Sequence, residues 1–517
     1  MSVSFSEIPS DNLVPIFMTE FDGSNAVKSG AMPWKNLIIG QPLSSKMSTD
    51  GTLTRITSDE QADSLYGSGS QLALMVKAFR KNTKNMELWV LPIADASGSD
   101  KAKGSLTFTV AAEDDDDDNP TLNVSGAIKL LIAGRSCAVN VSAGDSAPNV
   151  ASKTVAAVNA IADLPVTAAI KSGSGNSHIV ELTAKNAGKN GHGIDIQWSY
   201  NQGEYLPTGL SIVKTTMSGG GADPDYETSN VQAICEGTWF NTITIGSDDA
   251  DNVNYIKGML DARWTATVQQ TGVLMFSLNG ATYQEGGTTK VRIPTEDDFV
   301  DRGEDIDSNK VVLAALPKSP TPGYVNAAAL FGCVAPKALN DPARPLSNYA
   351  VAGVVAPRPE DREGFDGNNA LLKAGCALMV AGDDGTVYAK RIVTTYKHNA
   401  AGAVDKAYQQ LETVFTLSYL RWDWNNYLAV KYPNAKLADD GNSFGAGQVV
   451  MTPELGKAEL LSRYRLWMEK GLVQNYEDFA ENLVVMLDPD DAYAMQFLIP
   501  AHLIKQFFVG KSKIQFD

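Results

Sequence analysis

Apolar positions along the chain repeat with two different periods, and the switches between them mark out its elements. In GSQLALMVKAFRKN, residues 69–82, the apolar residues fall at helical spacing and the segment ends in basic side chains that suit the carbonyl end of a helix. The short run ELWVLPI after it predicts a buried strand. Upstream, WKNLIIG predicts a strand closed by Gly40, and Ser58 with Gln61 resembles a capping box opening a helix. The alternation resumes with the strand WFNTITIG, the helix DADNVNYIKGMLDARW, the strands GVLMFSL and NKVVLAALP, and the helix PGYVNAAALFGCVA. Strands and helices in turn predict a mostly parallel sheet.

Residues 100–222 interrupt this texture. SLTFTV, AIKLLIAG, SCAVNVSAG, HIVELTAKN and GIDIQWSY are short strands bounded by Gly or Asn, with one helix, SKTVAAVNAIADLP, among them. They predict a β-rich insertion that splits the α/β domain into residues 31–99 and 223–345. After a Pro-rich passage comes AGDDGTVYAKRIVTTY, residues 381–396, a tight turn and a strand that is apolar on both faces. Three helical stretches follow, VDKAYQQLETVFTLSYLRWDWNNYLAVKYP, TPELGKAELLSRYRLWMEKG and NYEDFAENLVV, the second opened by Thr452 and Pro453. These make residues 346–503 an α+β C-terminal domain. The stripe Tyr419, Trp422, Trp424 and Tyr427 sits at helical spacing and predicts packing. Two extended arms remain, residues 1–30 with Ile16, Phe17, Met18 and Phe21, and residues 504–517 with Ile514 and Phe516; the closing AHLIKQFFVGKSKIQFD reads as two strand-like pieces separated by Gly510 to Lys513.

A chain of 517 residues is too long for one core, so several domains are expected. Hydrophobic content of 44% and charged content of 20% are those of folded protein. The net charge of −17 argues against nucleic acid, since neutralising phosphates takes clustered Lys and Arg. The four cysteines, Cys137, Cys235, Cys333 and Cys376, have neither zinc nor redox spacing and predict reduced, buried thiols. Acidic residues and prolines replace a signal peptide's pattern at the start, and no apolar run approaches ~18 residues, so neither export nor a membrane is expected.

Motifs that carry chemistry are weak here. GNSFG, Gly441 to Gly445, matches the nucleophile elbow and makes Ser443 a candidate hydrolase nucleophile, but polar KLADD precedes it and no helix follows directly. DIDSNK from Asp305 lacks the Gly and Glu of a calcium loop, and VGKSK lacks the first Gly of a phosphate loop. The acidic run Glu113 to Asp118 reads as a solvated loop. Neither His178 nor His192 has a completing ligand set nearby in sequence. No cofactor, metal or catalytic residue is expected, and a chain with apolar arms at both ends looks built for assembly.

GSQLALMVKAF…ELWVLPI, RPLSNYAVAGVVAP, DDGTVYAKRIVTTY, YLRWDWNNYLAVKYP…KLADDGNSFGAGQVVMTPE and the ending KIQFD closely resemble, in matching order, the Mu-like tail sheath proteins of contractile-tailed bacteriophages. The resemblance implies a structural subunit in stacked hexameric rings around a tail tube, with baseplate and tail terminator proteins as further partners. It implies a virion component assembled in the host cytoplasm, a subtilisin-like but non-catalytic α/β domain, and arms that add strands to a neighbour's C-terminal domain. A capsid-less injection system, a tailocin or a secretion apparatus, uses the same architecture. On this reading the hairpin of residues 376–396 is the acceptor, through Leu378, Val380, Val387, Ala389, Ile392 and Val393, its outer edges unpaired within the chain. Residues 22–33 and 510–513 are the expected arm hinges, and Lys457, Arg463, Arg465 and Lys470 the candidate contacts to an acidic tube.

Overall fold

The computed structural model describes residues 32–47, 51–112, 119–445 and 447–516. They fall into two compact units, one of Trp34–Phe415 with the tail from Lys505, the other of Thr416–Ile504. The N-terminal arm with Ile16, Phe17, Met18 and Phe21, most of the hinge expected at 22–33, and the acidic run 113–118 lie outside the described residues.

The first unit begins with strands β1 (Asn36–Gly40) and β2 (Thr54–Ile56), helices α1 (Asp59–Tyr66) and α2 (Gln71–Asn82), and strand β3 (Leu88–Pro92). Ser58 Oγ accepts the Gln61 N–H at 3.1 Å, and Gln61 Oε1 accepts from Thr57 N–H at 2.9 Å, so the expected cap forms with its return bond one residue early. The chain then runs through β4 (Lys101–Val110), β5 (Gly126–Ile132), β6 (Arg135–Val141), α3 (Ala147–Ala160), β7 (Val166–Ile170), β8 (Ile179–Ala187), the 3-10 turn Lys189–Gly193, β9 (Ile196–Trp198) and β10 (Leu210–Gly219). Next come α4 (Val231–Cys235), β11 (Thr242–Ile245), α5 (Ala250–Trp264), β12 (Val273–Phe276), the hairpin β13 (Ala281–Glu285) and β14 (Thr288–Arg292), α6 (Glu296–Glu304), β15 (Val311–Ala315) and α7 (Gly323–Asn340). Strand β16 (Tyr349–Ala350), helix α8 (Phe365–Lys373) and strands β17 (Cys376–Ala381) and β18 (Val387–Arg391) complete the run.

Nine of these strands form one sheet in the order β16-β18-β17-β15-β12-β11-β1-β3-β2. The six strands from β17 to β3 are parallel neighbours, and antiparallel partners close both rims. Alternate residues feed two cores: Ile38, Val90, Met275 and Val312 pack with α2 and α7, while Leu37, Ile39, Ile243 and Phe276 pack with α4 and α5. Helices on both faces explain why these strands read as continuous apolar runs. Strands β4 to β10, which lie in sequence between β3 and β11, build separate sheets, β10-β4-β8-β7 and β6-β5-β9, over a third core that includes Val150 and Val158 of α3. All four cysteines are buried and free. Among the described residues no helix is long and apolar enough to cross a membrane.

Helix α9 (Leu411–Lys431) carries the chain from the first unit into the second. There follow β19 (Lys436–Leu437), β20 (Val450–Met451), α10 (Pro453–Glu469), β21 (Val473–Gln474), α11 (Tyr476–Asn482), β22 (Val484–Leu487), β23 (Met495–Leu498) and β24 (His502–Leu503). Thr452 caps α10 by accepting the Leu455 N–H at 3.3 Å, as its place before Pro453 predicts. Two differences from the sequence reading stand out. The compact units divide at Phe415, not at residue 346, because β17 and β18 continue the large sheet. NYEDFAENLVV is helical only to Asn482, after which Val484 begins a strand.

Candidate assembly surfaces

The hairpin β17–β18 is the expected acceptor, and its surroundings correct that expectation. β17 pairs in parallel with β15, Leu313 opposite Cys376, and β18 pairs with β16, Tyr349 opposite Ala389. Ser347 Oγ and the Asn348 and Val351 N–H groups extend the pairing along β18, donating to Lys390, Ala389 and Val387 carbonyls. Both outer edges are thus satisfied inside the chain. Leu378, Val387, Ala389, Ile392 and Val393 are buried, Val380 partly so. Met379, Val387, Ala389 and Ile392 enter one core and Cys376 and Leu378 the other, which accounts for two apolar faces without any second subunit.

A different hairpin has the open geometry. β22 and β23 pair only with each other among the described residues, Val484 opposite Leu498 and Leu487 opposite Met495. One face turns inward: Phe497 meets Trp424 edge-on at 5.4 Å, and a Cβ on Gly456 of α10 would stand 3.0 Å from Met495 Sδ and 3.1 Å from Phe497. Gly456 therefore lets the hairpin lie close on α10. The outer face exposes Val484, Met486 and Leu498, the last at 64%. A paired ribbon with two open edges and an apolar outer face is a template for a further strand. Burial alternates along both strands, but VVML is apolar at every position and MQFL has one polar residue, so the sequence carries no clear period-two signal for the hairpin.

Behind the hairpin the helices α9 and α10 are locked by charge. Arg463 donates through Nε to Asp423 Oδ2 at 2.6 Å and through a second nitrogen to Oδ1, and Trp467 Nε1 donates to Oδ2 at 2.6 Å. Asp423 is fully buried and Arg463 nearly so. Burial works against the Arg463 charge, but the Asp423 carboxylate outweighs it and raises the Arg463 pKa. Arg463, expected to face a tube, is therefore held inside the unit. Glu459 accepts from Tyr427, from Tyr432 at 2.6 Å and from Lys431 at 3.0 Å; burial opposes its charge, yet these donors leave its pKa lowered. Trp424 of the aromatic stripe is buried, as its spacing predicts. Arg465 and Lys470 are exposed and lie over the rings of Tyr476 and Tyr419, at 4.6 and 5.0 Å, while Lys457 is half-buried on α10.

The C-terminal tail belongs to the first unit. Gln506 Nε2 donates to the Ala343 carbonyl at 3.0 Å, and the Arg391 guanidinium lies 4.8 Å from the Phe508 ring centre. Beyond this mooring the tail forms no strand: Val509, Ile514 and Phe516 are exposed, Phe516 at 92%. Of the two strand-like pieces expected in AHLIKQFFVGKSKIQFD, the first supplies β24, which pairs with β21, and the second, KIQF, lacks a partner strand, without which an extended segment forms no ladder.

Candidate catalytic and metal positions are placed elsewhere. Ser443 is exposed in the loop between β19 and β20, with no buried strand before it, and the next helix starts only at Pro453. Asp307 of the calcium-like segment accepts the Lys397 and His398 N–H groups and the His398 ring. His192 lies 2.6 Å from the Gly219 carbonyl and His502 2.5 Å from Asp478. Among the described residues no three metal-ligating side chains converge.

No family model matches the chain. The Mu-like prophage FluMu tail sheath protein of Haemophilus influenzae is 32% identical over 517 residues, which is 100% of both chains. Among solved structures, a sheath tail protein from Desulfitobacterium hafniense is 13% identical with a TM-score of 0.45, covering 95% of this chain and 100% of its own. The contracted PVC sheath of an extracellular contractile injection system is 9% identical with a TM-score of 0.46, covering 100% of this chain and 99% of its own.

Proposed function

This chain belongs to the Mu-like prophage tail sheath proteins, and from that premise we propose that it is the repeating structural subunit of a contractile tail sheath. Copies stack as hexameric rings around a tail tube, and the array contracts to drive the tube through a host envelope. The end-to-end similarity to one tail sheath protein carries this reading. The tube, baseplate and tail terminator proteins are its partners, the finished sheath is part of a virion, and assembly takes place in the host cytoplasm. The chain is a structural protein and not an enzyme, its large sheet a subtilisin-like frame without a triad; the exposed setting of Ser443 supports that.

The joint between subunits is strand addition. The tail beyond Phe508 of one subunit, through Ile514 and Phe516, lies along an open edge of β22–β23 in another; backbone hydrogen bonds supply affinity and alternate side chains register. The N-terminal arm, through Ile16, Phe17, Met18 and Phe21, takes the other edge. Donor and acceptor are different surfaces, so the contact is heterologous and propagates as a ring or helix. The mooring of Gln506 and Phe508 supports a pivot at Val509 and the GKSK segment, which swivels as the subunits turn. Lys457, Arg465 and Lys470 stay as the tube-facing candidates once Arg463 is withdrawn. Contraction draws on a metastable lattice reaching larger contacts.

Electron microscopy of the purified protein, intact and lacking residues 505–517, tests this. Tubes or rings from the intact chain and none from the truncated one are expected. Failure of the intact chain to polymerise, or equal polymerisation of both, overturns the strand-addition joint.

A further inference from the structure

In doubly wound sheets ligands bind outside the carboxyl ends of the strands, at the point where the strand order reverses. Here β1 leads to β3 on one side, while β11, β12, β15 and β17 extend the sheet on the other. The reversal lies between β1 and β11. That crevice is filled by the chain itself, by the turn Lys189–Gly193 between β8 and β9.

Asn190, 4% exposed, is the plug. Its Nδ2 donates to Gln41 Oε1 at 3.1 Å, just past β1, and its Oδ1 accepts from Asn279 Nδ2 at 3.0 Å, just past β12. Gln71 closes the ring: its Oε1 accepts the Gln41 N–H at 2.9 Å and its Nε2 donates to the Gly246 carbonyl, just past β11, at 3.0 Å. The backbones touch as well, since a Cβ on Gly193 would stand 2.3 Å from the Asn279 carbonyl oxygen. Only glycine allows that approach.

Two further ties come from other parts of the β-rich segment. Asn186 Oδ1 accepts the Gln71 N–H at 2.9 Å, at the N-terminus of α2 where a bound anion would otherwise sit, and its Nδ2 donates to the Pro42 carbonyl at 2.7 Å. Asp163, after α3, accepts from Lys77 of α2 at 2.6 Å and from Ser68. Three separated points of attachment remove the rotational freedom that a single linker would leave.

We infer that the segment Lys101–Gly219 is keyed into the ligand crevice of the nine-stranded sheet and turns with it as one rigid body. The buried amides make that coupling all-or-none, because withdrawing the plug takes the Asn190 donor from Gln41 Oε1 and the Asn190 acceptor from Asn279 Nδ2 in a dry site. The crevice is closed to small molecules for the same reason. This stands whether or not the chain polymerises.

Native-state hydrogen exchange on the full chain tests it. In the unmodified protein the amides of β4 and β8 are expected to exchange through the same opening, at rates within about tenfold, as those of β1 and β11. In Asn186→Ala/Asn190→Ala the β4 and β8 amides are expected to exchange at least about tenfold faster while β1 and β11 hold. Faster exchange of β4 and β8 already in the unmodified protein overturns the proposal, and so does a double variant whose β4 and β8 protection is unchanged. If the double variant does not fold, the unmodified protein decides the matter alone.

Discussion

Two hairpins of similar make-up meet opposite fates in this molecule. β17–β18 is paired along both outer edges, with β17 covered on both faces and β18 on one, so its apolar residues are spent on the chain's own cores. β22–β23 is covered on one face only, and both edges stay open among the described residues. The contrast teaches that apolar character on two faces does not identify a polymerisation site. What identifies it is an edge whose backbone groups have no partner together with an apolar face that meets no core.

The comparison breaks first at β18. Ala389→Asp places a carboxylate where nothing can solvate it, and a loss of about 4 kcal/mol or more is expected, read as failure to fold or as precipitation on expression. Behind the open hairpin, Arg463→Ala strands Asp423 as a buried charge and is expected to cost about 3–5 kcal/mol in urea unfolding. Replacing both, Asp423→Leu with Arg463→Met, is expected to recover most of that loss; no recovery would argue against the pair being isolated from solvent.

Beside the closed hairpin, Glu412 accepts the Leu346 N–H at 2.7 Å, three residues before β16. Burial raises its pKa from 4.5 to about 7. The folded state therefore keeps a proton that the unfolded chain releases, and stability falls as pH rises from about 4.5 to 7. Glu412→Gln is expected to flatten that fall by about 2–3 kcal/mol, seen as melting temperatures that no longer drop across the window. A pH profile identical to the parent's would remove Glu412 from the account. The smallest effect on stability belongs to the open hairpin: Met486→Lys is expected to shift the unfolding free energy by less than about 0.5 kcal/mol, since the side chain is exposed. On the proposed function the same change abolishes tubes in the microscope; a variant that melts normally and still polymerises would move the acceptor elsewhere.

Local features were legible residue by residue. Ser58 and Thr452 cap helices, GSQLALMVKAFRKN is α2, and the parallel strands are the short apolar runs the alternation predicts. The candidate site was legible only in kind. The apolar faces of residues 376–396 predict an open hairpin there, while the hairpin with open edges follows α11 in a run that periodicity continues as helix. Arg463 shares its helix with Lys457 and Arg465, and nothing in that spacing says that Asp423, 40 residues earlier, takes it inward.

The sequence by itself determined most of the helices, which parallel strands are covered on both faces, and that the C-terminal segment is rich in apolar residues, because propensity, capping and periodicity act within a few residues. Tertiary structure alone decided which strand edges are paired, which charges are buried, and that Asn190 closes the crevice with Gln41 from 149 residues away. Those outcomes depend on hydrogen bonds between distant segments, and a backbone donor or a buried amide finds its partner only once the fold has brought the two together.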